Sequence, residues 1–107
     1  MSNIKFLDRE TTDAIRLKYA PDYAKLTVKE MSVNALKKGK LNLGYHYILR
    51  DSGEIEKGIK DSYYADYMLD GYKTSIYVLV TADKLSDAAK KTLDKLASEL
   101  NLPLKGD

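Results

Sequence analysis

The sequence contains no cysteine and no tryptophan, and among its 107 residues there are one phenylalanine, one histidine and two prolines. Without thiols there is no disulfide framework, no thiolate ligand for a metal and no cysteine nucleophile. His46 is the sole imidazole, so any metal site would lean on one imidazole and carboxylates. No apolar run approaches the roughly 20 residues of a membrane span. The opening residues, Met1 to Glu10, lack the apolar core of a secretory signal. These absences predict a cytoplasmic protein with no membrane partner. Charge of one sign is also lacking: 18 basic and 16 acidic residues leave +2, too balanced for a coat on duplex nucleic acid.

Hydrophobic residues make up 44% and charged residues 32% of the chain, a soluble globular composition. Pro21 and Pro103 fall where elements end, and no linker, repeat or low-complexity stretch intervenes, so residues 1–107 read as one domain. A domain of this length buries only about two-thirds of its unfolded surface, which gives self-association a role in stability. Nine tyrosines mean that nearly every ring carries a hydroxyl able to meet an apolar wall and a polar ligand together.

The alternation from Thr12 to Tyr19, halted at Ala20-Pro21, predicts a strand with a functional mouth at its carboxyl end. Thr27 and Glu30 form a capping box, Leu26 and Met31 its hydrophobic staple, and Gly39 a stop, predicting a helix over Val28 to Lys38. Gly44 to Arg50, Asp51-Ser52-Gly53 and Glu54 to Ile59 predict a hairpin in which Gly53 takes positive φ. The unbroken run Ile76 to Val80 predicts a central strand covered on both faces. Leu85, Ala89, Leu93, Leu96 and Leu100 make one helical stripe. Lys60 to Lys73 fits neither period. The fold class is therefore α/β, with a mixed sheet of about four strands flanked by helices.

Three strings carry a family likeness: Arg9 to Ile15, Gly44 to Gly58 (GYHYILRDSGEIEKG) and Ser75 to Val78. Together they resemble the zinc N-acetylmuramoyl-L-alanine amidases of phage lysis systems, which share their fold with peptidoglycan-recognition proteins. The likeness runs from about Lys5 to Leu100, and the hairpin is its most specific piece. It implies an amidase-like fold and a catalytic zinc with three protein ligands and one open position. It also implies that the first ligand would stand within Leu17-Lys18-Tyr19, where this chain has Lys18, an ammonium that repels a divalent ion. The other two would come from a segment after the last helix, and this sequence stops at Leu104 to Asp107. Tyr45 holds the position of the tyrosine that assists catalysis, and His46 follows it without being a ligand. Tyr67 lies close to where the lysis enzymes carry a pocket histidine.

No cofactor, no metal and no enzymatic activity are expected from this pattern. The resemblance instead implies a groove at the carboxyl edge of the sheet, where ligands of open α/β sheets bind. Lys18, Tyr19, Tyr45, His46, Tyr63, Tyr64, Tyr67, Tyr72 and Lys73 are the candidate ligand-binding residues. Aromatic faces beside cations suit a flat anion such as a nucleotide, each stacked base contributing about 1–3 kcal/mol. The expected function is capture of a small anionic ligand, such as a cyclic dinucleotide of host immune signalling. It would be performed by a phage protein, working as a homo-oligomer, in the cytoplasm of an infected bacterium.

Other roles stand beside these. His46 can be a hydrogen-bonded structural residue or a ligand contact. Tyr63, Tyr64, Tyr67 and Tyr72 can serve a ligand, a subunit interface or the anchoring of a loop. Tyr77 reads as core, and one of His46 and Tyr47 faces inward. Lys37, Lys38 and Lys40 complement a helix dipole, and Lys90, Lys91 and Lys95 line a solvent face, so neither cluster requires a phosphate. Alternative functions are a protein-interaction module, such as an RNA polymerase inhibitor of the kind these phage amidases can be, and a divergent peptidoglycan amidase or recognition protein.

Overall fold

A computed structural model describes residues 12–39, 43–61, 63–65, 69 and 71–105. The first strand, β1, is Ala14–Tyr19. It begins two residues later than the alternation suggests and ends before Pro21, whose ring opens a 3-10 turn over Pro21–Tyr23. Helix α1 follows at Val28–Lys37. Its capping box forms as predicted: Glu30 N–H donates to Thr27 Oγ1 at 3.1 Å, and Thr27 N–H donates to Glu30 Oε1 at 2.9 Å. Gly39, at φ +85°, ends it.

Strands β2 (Tyr47–Leu49) and β3 (Ile55–Lys57) form the hairpin around Asp51-Ser52-Gly53. Gly53 has φ +92°, and a Cβ there would lie 2.9 Å from the Ala88 carbonyl oxygen, so only glycine fits both the turn and its neighbour. That neighbour belongs to α2, Asp87–Leu100. Ser86 caps α2 by accepting from Ala89 N–H at 3.1 Å, while its hydroxyl donates to Asp51 carbonyl oxygen at 2.6 Å. The hairpin turn is therefore fastened to the first turn of the helix.

Strand β4 (Ser75–Val80) is buried along its whole length. It pairs in parallel with β1 on one side and β2 on the other, while β2 and β3 are antiparallel. The sheet is mixed, as the sequence predicts, with the order β3-β2-β4-β1-β5. The fifth strand, β5 (Leu104–Lys105), was not foreseen. Two residues carry no period; they pair with β1 because Asn101, at φ 55°, turns the chain back after α2.

Two cores result, one on each face. Ile15, Leu17, Leu49, Ile76, Val78 and Val80 pack against Ala89, Leu93 and Leu96 of α2. Across the sheet, Ile48 and Leu79 meet Met31 of α1, Leu43 and Ile59. The described part of 60–74 forms turns instead of a helix, closed by Ala65 N–H donating to Tyr72 carbonyl oxygen at 3.1 Å and Thr74 N–H to Gly71 carbonyl oxygen at 3.1 Å. Among the described residues, no helix is long and apolar enough to cross a membrane.

Candidate functional site

Strand alternation divides the candidates. Ile15, Leu17 and Tyr19 point into the α2 core, with Tyr19 packed against it. Arg16 and Lys18 therefore leave β1 on the α1 side, Arg16 half-buried and Lys18 exposed at the carboxyl end of the strand. Tyr19 does not converge with Lys18 as the sequence suggested. Adjacent residues on a strand take opposite faces, and the apolar face claims the ring.

Row by row across the α1 side, Arg16 stands opposite Tyr77 and Lys18 opposite Leu79. Arg16 Nε donates to Ser75 Oγ at 3.1 Å, and Ser75 is buried. Tyr77 is core, as its place in the apolar run predicts. Tyr45 meets it edge to face, with ring centroids 6.4 Å apart at 74°. Tyr45 and Tyr63 both pack on the α1 core, so the structure brings Lys18, Tyr45 and Tyr63 to one side of the sheet.

His46 is buried between these residues. Its Nδ1 accepts from Tyr77 N–H at 2.9 Å, which fixes the proton on Nε2, and Nε2–H donates to Tyr63 carbonyl oxygen at 2.7 Å. Both ring nitrogens serve the fold, tying the tyrosine-bearing segment to the central strand. The ligand contact offered for His46 is corrected to the structural role weighed beside it.

Farther along that segment, Tyr64 and Tyr72 meet edge to face at 5.8 Å, and Lys73 Nζ lies 5.8 Å from the Tyr72 ring centroid. Lys60 Nζ is likewise 5.8 Å from the centroid of Tyr63. Gly71 abuts the Arg16 side chain, but the turn runs straight into Ser75, which stands opposite Ala14, and Asp13 N–H donates to Thr74 carbonyl oxygen at 2.7 Å; Tyr72 and Lys73 thus lie at the amino end of β1 and do not converge with Lys18 at its carboxyl end. Tyr67 lies outside the described residues.

Tyr47 takes the opposite face and packs on the α2 core. Its hydroxyl donates to Asp61 Oδ2 at 2.9 Å, Asp61 pairs with Lys57, and Lys57 Nζ sits 4.1 Å from the Tyr47 ring centroid. Burial, aided by the bond to Asp61, pushes the phenol above the ordinary tyrosine value, against the opposing pull of Lys57.

Sequence reasoning missed Arg16, Ser75, Gly71 and Arg50. Period two counted back from Lys18 picks out Arg16; nothing local marks the others. Arg50 Nε donates to Glu56 Oε1 at 2.6 Å, while Nη1 and Nη2 donate to the carbonyl oxygens of Tyr23 at 3.3 Å and Leu26 at 2.6 Å. One guanidinium thus holds the turn after β1, and with it the entry to α1, against the hairpin.

The described residues do not fit the zinc that the resemblance implies. The position to which the resemblance assigns the first ligand holds Lys18, a cation, and no group of three or more His, Asp or Glu side chains among the described residues comes together to hold a metal ion.

No protein-family model matches the chain. No curated protein matches it by sequence. Solved structures match it by shape. Peptidoglycan-recognition protein PGRP-Hd from Alvinella pompejana superposes with a TM-score of 0.76 at 18% identity, covering 100% of this chain and 79% of that one. N-acetylmuramoyl-L-alanine amidase LysC from Clostridium intestinale URNW gives 0.74 at 14% identity, over 98% and 78%. PGRP-SA from Apis mellifera gives 0.71 at 12%, over 98% and 78%. The chain has the amidase and peptidoglycan-recognition fold.

Proposed function

We propose that this chain is a non-catalytic binding protein on an amidase-like scaffold, and that it captures a small anionic ligand, a nucleotide, without turning it over. The observation that carries this reading is Lys18 on the α1 side of β1, exposed where the resemblance assigns the first metal ligand. Function resides in the site and not in the scaffold. A site that offers an ammonium to its ligand attracts anions instead of assembling a Lewis acid, and metal-bound water is what Tyr45 would need in order to assist hydrolysis.

Tyr45 and Tyr63, on the same side of the sheet, support a ligand that is flat as well as charged. A cyclic dinucleotide of bacterial immune signalling meets both demands, and capture in stoichiometric amounts silences such a signal with no chemistry required. On this reading the protein is phage-encoded, acts in the cytoplasm of the infected host and works as a homo-oligomer. Calorimetric titration against cyclic di- and trinucleotides tests it: saturable heats at micromolar protein support it, and silence across the panel overturns it. Light scattering on the same sample reads the assembly.

A second reading, recognition of peptidoglycan fragments, is favoured by the shape match to peptidoglycan-recognition proteins. Muramyl peptides are also anionic through their carboxylates. Including a muramyl dipeptide in the titration separates the two. Stoichiometric zinc after purification, or release of peptide from cell-wall sugar over time, would restore the enzymatic alternative. A stable protein partner recovered by pull-down would favour an interaction module.

A further inference from the structure

Helix α1 turns an apolar and cationic pole to water. Met31 and Ala35 mark its buried stripe, and at about 100° per residue the opposite side falls on Val33, flanked within about 60° by Lys29, Leu36 and Lys37. Val33 is 40% and Leu36 59% exposed, and neither packs on either core. Three residues apart, their side chains are neighbours on one ridge. The outer side of a helix ordinarily carries charged and polar groups of both kinds that hold water. Here it carries no carboxylate. Glu30, the one acid of α1, is held in the capping box by Thr27 N–H. Lys29 and Lys37 are exposed, and no carboxylate among the described residues pairs with either. Because Met31 meets Ile48 and Leu79 of the sheet, this pole points away from the sheet and from Lys18.

Charge decides what can cover such a ridge. In a two-fold pairing of α1 with a second copy, the same patch meets itself, so cations would face only cations around the apolar contact. An anionic bilayer would satisfy the lysines, but interfacial helices insert a broad apolar face, and this pole offers two aliphatic side chains. A helix with acidic flanks satisfies both parts: its groove receives a convex aliphatic ridge, and its carboxylates neutralise lysines that lack partners in this chain. We propose that the outer face of α1 is a docking site for an acidic amphipathic helix of another protein, whose apolar side chains cover Val33 and Leu36 while its carboxylates meet Lys29 and Lys37. The site is separate from Lys18 and independent of the nucleotide reading.

The test titrates the isotope-labelled whole chain with two synthetic blocked helical peptides that share one leucine stripe, one flanked by glutamates and the other by lysines, while the Val33 and Leu36 resonances are followed. The glutamate peptide should shift them saturably and bind about tenfold tighter than the lysine peptide. Leu36→Ser, at an exposed position, should weaken it about tenfold without changing the melting temperature. The double variant Lys29→Glu with Lys37→Glu should reverse the preference between the peptides, an outcome that a purely apolar contact would not produce. Lys90→Glu, on exposed α2 surface, should leave the preference unchanged. No shift at millimolar glutamate peptide overturns the proposal, as does equal binding of the two peptides. Self-association that Leu36→Ser abolishes, seen by sedimentation in the absence of any peptide binding, would assign the face to a second copy instead. Shifts produced by phosphatidylserine vesicles and by neither peptide would assign it to a bilayer.

Discussion

On the α2 side of the sheet, alternate residues of three strands are almost all aliphatic: Ile15 and Leu17 from β1, Leu49 from β2, and Ile76, Val78 and Val80 from β4. On the α1 side, the intervening positions of β1 and β4 and the entry to β2 hold Arg16, Lys18, Ser75, Tyr77 and His46 among Ile48 and Leu79. The same three strands thus present a nearly dry face and a polar one. The dry face stabilises by area removed from water, which is additive and tolerant of detail. The polar face is stable only because its buried groups find specific partners: Ser75 takes the Arg16 Nε–H, and His46 bridges Tyr77 and Tyr63. Specific partners make a site adjustable, so the polar face is where a scaffold can change what it binds without losing its fold.

The largest effects should fall on the dry face. Leu93→Ala is expected to cost about 2–5 kcal/mol by removing a buried leucine and leaving a cavity, read by chemical denaturation. A cost below that of polar-face variants would break the contrast. Next comes His46→Ala, which strands a buried amide N–H and frees the tyrosine segment. About 2–3 kcal/mol is expected, together with faster hydrogen exchange at the Tyr77 amide, a readout that Leu93→Ala should share only through global unfolding.

Arg50→Ala should cost about 1–3 kcal/mol through its lost bonds to Tyr23, Leu26 and Glu56. Proteolysis of the turn after β1 would reveal the loosening. Smaller still is the contribution of Tyr47. Its phenol is raised above the ordinary 10.0, so the folded state holds that proton more tightly than the unfolded chain does. The stability is present below pH 10.0 and is lost as pH rises through that value toward the raised one. Tyr47→Phe should flatten this alkaline decline, and an ultraviolet titration matching free tyrosine would contradict it. Lys18→Gln should alter stability by no more than about 0.5 kcal/mol while weakening anion binding, the sharpest separation of holding the fold from holding a ligand.

The legible parts of this molecule are those in which a residue's neighbours in sequence decide its fate. Thr27 and Glu30 satisfy each other across one helical turn, Gly53 turns a three-residue loop, and the spacing from Ala89 to Leu100 forms a stripe whatever it packs against, while Leu85 packs on the same core from just before the helix. Alternation could also have warned that Lys18 and Tyr19 must part, since consecutive strand residues face opposite ways.

The amino-acid order by itself determined the mixed α/β arrangement, the caps, the central strand and the cation at the mouth of β1, because periodicity and capping act within a few residues. Only the tertiary structure decided that His46 belongs to the fold, joined to partners 17 and 31 residues away, and that Arg16 is oriented by a serine 59 residues on. Those bonds exist because parallel strands bring distant segments side by side, and no local pattern encodes which polar atoms will then meet.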